Sequence, residues 1–241
     1  LYLAHGITSV RDCAGDMADI VLDWRAQVNA GTLEGPTIFT SGAKLEGIKP
    51  IWKGVIEVGT PAEVSAALDK LQGQKVDFVK ITESTMTPAI YQEVLKQAKA
   101  RGMRTSAHVI AQLTVGEVAE LGLGTIEHQS YLLRATTPRE KELTTQVAAG
   151  KLTGREAAIQ SLESYDEATA RAAFRRLAAA GTAVVPTLNG SFVTSYLDQN
   201  DHRNDSYLQY IGNGAARDLR LAGRTRREGW AGGDRAAPRH G

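Results

Sequence analysis

A single cysteine, Cys13, stands among 241 residues, which excludes an internal disulfide framework and fits a reducing compartment. Charge of either sign is not in surplus: 28 basic side chains face 27 acidic ones, for a formal net charge of +1. That balance offers no electrostatic attraction for nucleic acid or an acidic partner, so neither is expected. No apolar run approaches the ~20 residues that a membrane-spanning helix needs, so no membrane partner is expected. The opening LYLAHGITSV carries no signal-peptide pattern. The first residue is Leu1 rather than methionine, so a native N-terminus is expected upstream, and neither localisation nor oligomeric state follows from the sequence.

With 42% hydrophobic residues, the chain can bury a sizeable core as one domain. Six short apolar runs, ITSVRD, PTIFTSG, VDFVKI, RTSAHV, GTIEHQ and AVVPTL, alternate with stretches of helical periodicity. Strands separated by amphipathic helices indicate parallel βα units. Asp16 is expected to cap a helix whose Ile20, Trp24 and Val28 fall at helical spacing. Thr60-Pro61-Ala62-Glu63 reads as a capping box with proline at the first helical position, ahead of a face formed by Val64, Leu68 and Leu71. Thr87-Pro88 opens a helix with Tyr91, Val94, Leu95 and Ala98 as its buried stripe, and Thr114 with Glu117 forms a second capping box. Ser164 and Glu167 are expected to cap the helix ending LAAAG. Glycine stops a helix before a strand at Gly6, Gly102, Gly122 and Gly181.

Two stretches depart from this rhythm. Residues 137–163 are polar and helical, too long for an ordinary βα loop, and read as a helical excursion near the sheet's mouth. From Gly214 onward there are seven arginines and no lysine, isoleucine or valine. Such a segment cannot bury enough apolar surface to fold by itself, so 214–241 is expected to be a disordered tail or out-of-frame translation. The abruptness of the change favours the second.

Lys80, His108 and His128 each stand at the end of an apolar run, 28 and then 20 residues apart, about one strand-plus-helix unit each. In a parallel barrel, neighbouring strand ends converge on one mouth, so the three side chains are expected to share a site. Lysine is a costly residue on a buried face unless paired or neutral, and alternation in VDFVKI puts it with Val76 and Phe78. A neutral amine can take up carbon dioxide as a carbamate, whose two oxygens can bridge two divalent ions. Imidazole nitrogens suit zinc. A lone histidine at a strand end is more often structural; the ordered set of three favours a metal site here. His5 reads instead as a helix-end residue, His202 and His240 lie in polar or irregular sequence, Arg11 and Asp12 read as a salt bridge or supporting pair rather than a catalytic pair, and Cys13 reads as a small buried hydrophobe.

VKI, SAHVI and TIEHQSY, preceded by LAHGITSVRD and GPTIFTSG, resemble the amidohydrolase superfamily, in its imidazolonepropionase-like and prolidase-like (Xaa-Pro dipeptidase) branch, over residues 1–190. The resemblance implies an incomplete (β/α)8 TIM-type barrel over residues 1–213, from its strand two to its strand seven, with the excursion after strand six. It implies a binuclear zinc centre in which carboxylated Lys80 bridges the ions and His108 and His128 ligate one of them. Tyr131 matches a tyrosine associated with polarising the scissile carbonyl, and is the candidate catalytic residue, with a role as a loop anchor as its other reading. The implied activity is metal-dependent hydrolysis of a C–N bond in a small molecule or dipeptide, with specificity set by the loops 41–53 and 129–160.

The family's His-x-His pair on strand one and aspartate on strand eight find no match, so this chain is expected to be inactive alone and to bind zinc weakly. Two other readings stay open. Lys80 could form a Schiff base, as in a barrel lyase or aldolase. Alternatively, the chain is a non-catalytic fragment.

Overall fold

Threonine side chains start four of the helices, because a hydroxyl can accept a backbone N–H that the first helical turn leaves without a partner. The computed structural model describes residues 1–13, 16–196, 199, 205 and 206. It divides into two compact units, Leu1–Pro186 and Thr187–Gly241. The expected boundary at 213 and 214, the tail 214–241, His202 and His240 lie outside the described residues.

In the first unit, a 3-10 turn at Leu3–His5, with His5 exposed, precedes β1 (Ser9–Asp12), α1 (Ala18–Asn29) and β2 (Thr37–Thr40). Two-residue strands β3 (Leu45–Glu46) and β4 (Ile56–Glu57) follow, then α2 (Pro61–Gly73), β5 (Val79–Ile81), α3 (Pro88–Ala100), β6 (Thr105–Ala107), α4 (Val115–Glu120) and β7 (Thr125–Glu127). The helical excursion comprises a 3-10 segment at Gln129–Thr136, α5 (Glu140–Ala148) and α6 (Gly154–Glu163). Then come α7 (Glu167–Ala180) and β8 (Ala183–Val185). The second unit holds α8 (Leu188–Ser195), beside which the rings of Phe192 and Tyr196 lie 4.8 Å apart.

All six expected strands form, and every ladder is parallel. β1 pairs with β2, while the larger sheet has the order β4-β3-β5-β6-β7-β8. The two ladders meet at Asp77, whose N–H donates to the Thr40 carbonyl at 2.9 Å and whose carboxylate accepts from the Thr40 N–H at 2.8 Å. This is the alternating parallel α/β order of a partial (β/α)8-type barrel; among the described residues the sheet does not close. β3 and β4 lie in and just beyond the segment expected to be a loop, too short to show a strand pattern in sequence.

The core lies under α2 and α3. Val64, Leu68 and Leu71 on one helix and Tyr91, Val94, Leu95 and Ala98 on the other are all fully buried. Burial of each large apolar side chain contributes about 1.5–3 kcal/mol. β5 and β6 are buried at every position, as parallel strands covered on both sides should be. β1, in the two-stranded ladder, and β8, at one edge of the larger sheet, keep partly exposed positions. On α1 no residue is buried, and Ile20 and Trp24, which fall at helical spacing, are exposed.

Several caps differ from expectation. Asp16 does not cap α1; its carboxylate meets Lys44 Nζ at 3.3 Å. Thr60 accepts the Glu63 N–H, but Glu63 reaches the N–H of Gly59. The Thr114/Glu117 box forms in full, and so does an unforeseen Thr153/Glu156 box. Asp166, rather than Ser164, caps α7 by accepting from the Thr169 N–H. At the other end of α7, Gly181 takes φ +73°, a left-handed conformation that costs glycine little.

Candidate active site

Register sets which side chains meet. Lys80 stands opposite Ser106, and Ser106 opposite Thr125, so these three share one face of the sheet. Two residues further along, His108 and Glu127 return to that same face. His128 comes next after Glu127, and regular alternation would turn it away. Its backbone instead adopts φ +65° and ψ 132°, costly for a side chain with a Cβ, on the order of 1–3 kcal/mol. His128 N–H bonds to Val185 O at 2.7 Å and Gln129 N–H to Pro186 O at 3.1 Å, which hold the bend. The imidazole of His128 consequently lies 5.0 Å from that of His108, centroid to centroid.

Tyr91 anchors the other histidine from beneath. Its hydroxyl, on the buried face of α3, donates to the backbone carbonyl of His108 at 2.9 Å. The ring of Tyr131, from the 3-10 segment after β7, stacks on His108 at 4.9 Å with planes 13° apart and lies 6.2 Å from His128. The structure thus brings His108, His128 and Tyr131 together, with Lys80 on the same sheet face.

Lys80 Nζ is buried and has no hydrogen-bond partner. Burial lowers its amine to about 8, against Glu127, Cys13 and Glu83, which favour the charged form. Glu127, the carboxylate that most favours the charged amine, is already engaged: its Oε1 receives Arg11 Nη2 at 2.5 Å and Ser106 Oγ at 2.7 Å. Burial pushes the Glu127 carboxyl up, but these bonds and the charges of Arg11 and Lys80 bring it below the usual carboxylate range. His128 is also held below its ordinary value, by burial first and then by its nearness to His108 and Lys80, so its neutral, ligand-competent form is favoured.

Arg11 lies over the ring of Phe78 at 5.3 Å as well as on Glu127, and Asp12 accepts from Thr40 Oγ1 at 2.9 Å. Cys13 is half-buried, and burial pushes its thiol up.

Three carboxylates in the region were not singled out from the sequence. Glu127 directly precedes His128. Glu83, three residues after Lys80, accepts from His108 Nδ1 at 2.7 Å and from the Tyr131 hydroxyl at 2.5 Å. Glu46 on β3 is fully buried; its Oε1 accepts from the N–H groups of Gly47 and Thr85, while Oε2 has no partner. Glu127 and Glu83 sit in or just after an apolar strand run, where a charged residue is the signal that could have found them, whereas two-residue β3 gives no such signal for Glu46.

Among the described residues no group of three or more His, Cys, Asp or Glu side chains is arranged to hold a metal ion. The available donors are two imidazoles and the orphaned amine of Lys80. That set suits a divalent ion on one condition, that Lys80 is carboxylated and contributes oxygen.

No family model matches the chain, and no curated protein sequence matches it. Solved structures do. The bottromycin amidohydrolase AH is 14% identical with a TM-score of 0.49, covering 76% of this chain and 53% of that one. An A. niger ochratoxinase is 16% identical with a TM-score of 0.46, covering 77% and 52%. A Xaa-Pro dipeptidase with methionine bound in its active site is 21% identical with a TM-score of 0.43, covering 75% and 54%. This chain spans about half the length of each.

Proposed function

We propose that this chain carries part of the active site of a metal-dependent hydrolase that cleaves a C–N bond in a small molecule or dipeptide. The observation that carries the reading is Lys80: a buried amine without a hydrogen-bond partner, brought by burial from 10.5 to about 8 and so more readily deprotonated than an exposed lysine, on the sheet face that also presents His108. The ordered motifs VKI, SAHVI and TIEHQSY support the same reading.

Carboxylated Lys80, His108 and His128 would hold the ion, zinc by the preference of imidazole and oxygen donors. Bound there, zinc would lower the pKa of water toward neutrality and so supply a nucleophile at ordinary pH. The chain's own residues do the rest. Arg11 and Ser106 keep Glu127 engaged, so that it does not capture the Lys80 amine. The bend at His128 aims its ring at that of His108. Tyr131 lines the same space, where a substrate's amide group would lie. An Xaa-Pro or similar dipeptide and a cyclic amide are the candidate substrates.

Labelled bicarbonate tests the central step. With zinc present, ¹³C NMR should show a carbamate resonance in the wild-type chain that is absent from Lys80→Ala. Hydrolysis of Xaa-Pro dipeptides and cyclic amides, assayed with zinc and bicarbonate, tests the substrate class. A wild type without the carbamate would overturn the reading.

The same readily deprotonated amine also supports a second reading, Schiff-base formation with a carbonyl substrate. Borohydride trapping of an aldehyde or ketone on Lys80 would support it over the first.

A further inference from the structure

α6 turns its small side chains to the protein and its large apolar ones to water. Ala157 and Ser161, one turn apart, are buried, whereas Ile159 and Leu162 on the opposite face are 47% and 55% exposed. A surface helix ordinarily keeps its apolar face inward and its charges outward. Exposed apolar residues alone say little, but the charges beside these two say more. Arg155 and Glu163, both exposed, stand four residues before and four after Ile159, so the three share one face. Each charge occupies the helix end that disfavours it: Arg155 lies in the first turn, beside the partial positive charge of the N-terminus, and Glu163 is the last residue, beside the partial negative charge of the C-terminus. α2 does the reverse, with Glu63 in its first turn and Lys70 in its last. Neither Arg155 nor Glu163 makes an ion pair among the described residues. Arg139, which feels the charge of Glu163, is itself paired with Glu142 at 2.9 Å.

We propose that α6 is a contact surface for a second copy of this chain, two α6 helices lying antiparallel across a twofold axis at Ile159. In that arrangement each residue faces the one equally far from Ile159 on the other side, so Arg155 of each copy faces Glu163 of the other. Two opposite-charge pairs form at once, one at either end of the contact. Antiparallel helices also set each terminus beside the opposite terminus of the neighbour, so a placement that is unfavourable in one chain becomes favourable in two. Ile159 packs on its symmetry mate at the centre, with Leu162 beside it. Glu156 stays with its own chain, because Thr153 holds its carboxylate in the capping box. A parallel pair would instead set like charges against each other. α6 has ten residues, a length of about 15 Å, so the contact falls short of the roughly 1,200 Å² of a stable interface and the dimer is expected to be weak.

Sedimentation equilibrium of the 241-residue chain tests this, in low salt and across about 10 µM to 1 mM, where so small a contact should be partly occupied. The average mass should climb from monomer toward dimer. Arg155→Glu and Glu163→Arg should each weaken association about tenfold or more, since like charges then meet at both ends. The two changes together should restore it. Each single change also puts a charge at the helix end that favours it, so the thermal stability of the dilute monomer should hold or rise slightly. Lost association is then distinct from lost folding. Ile159→Glu should leave a monomer throughout. A wild type that stays monomeric across the range would overturn the proposal and leave this face to a different molecule. So would a double variant that associates no better than the single ones, which would place self-association on another surface, such as the open strand edges, that is blind to the swap.

Discussion

Arg11 on β1 and Glu127 on β7 form an ion pair of 2.5 Å although 116 residues separate them. The two strands belong to different ladders, so the pair bridges the space that both ladders face.

Arg11→Met should therefore destabilise the chain by about 1–3 kcal/mol, because Glu127 stays buried with only Ser106 left to it. Urea unfolding measures this. The Glu127 carboxyl is depressed when folded, so its stabilisation is present above the ordinary carboxylate value and is lost as pH falls through the lower folded value. Without Arg11 the folded value rises, and the acid loss of stability should begin at higher pH. An acid limb that coincides with the wild type would show that Arg11 does not set the state of Glu127.

Lys80 has the opposite effect on stability. Its amine is brought from the ordinary 10.5 to about 8 by burial. Between those values the unfolded chain holds more proton than the folded one, so stability rises with pH across that window, and below about 8 the full cost remains. Lys80→Met should thus stabilise the metal-free chain at pH 7, on the order of 2 kcal/mol, with the gain fading toward pH 10.5. A less stable Lys80→Met chain at pH 7 would mean that the amine has a partner in solution.

Much of this was legible because the signals are local. VDFVKI, RTSAHV and GTIEHQ announce strands by composition, and Thr87-Pro88 and Thr114 with Glu117 announce helix starts by chemistry that acts within four residues. The buried stripe on α3 follows from a period of 3.6. What could not be read depends on residues far apart in sequence. Glu83 becomes a site residue only when the ladder register carries His108 beside it, and Glu127 only because Arg11 returns from the far ladder. The inward turn of His128 rests on a positive φ that no pattern of residue types announces. α1 illustrates the opposite error: helical spacing of Ile20, Trp24 and Val28 correctly marks a helix, but whether that face is covered depends on what lies beyond it.

Gly47 is a point where no side chain fits. A Cβ built there would stand 2.1 Å from the Thr85 carbonyl oxygen and 2.5 Å from the Met86 nitrogen, both backbone atoms. Glu46 Oε1 stitches the same two segments together through the N–H groups of Gly47 and Thr85. Gly47→Ala should consequently cost about 1–3 kcal/mol or more and loosen the loop after β3, visible as faster amide exchange at Thr85. Wild-type stability and exchange in this variant would show that the two segments lie further apart than described.

Zinc and bicarbonate should promote each other's binding. Two imidazoles alone are a poor set for zinc, and no third His, Cys, Asp or Glu completes a cluster among the described residues, so affinity without bicarbonate should be weak. A carbamate on Lys80 adds anionic oxygen to the set, and the ion in return stabilises the carbamate against loss of carbon dioxide. Coupling of this kind is reciprocal: whatever factor bicarbonate adds to zinc affinity, zinc must add to bicarbonate uptake. Competition against a chromogenic chelator, repeated with and without bicarbonate, measures the factor, which should be tenfold or more if coupling reaches about 1.4 kcal/mol. Lys80→Ala should show no bicarbonate effect, while His128→Ala should retain a smaller one, since it removes a donor but not the carbamate. Equal zinc affinity with and without bicarbonate in the wild type would remove Lys80 from the metal set and leave the Schiff-base reading as the better account of its buried amine.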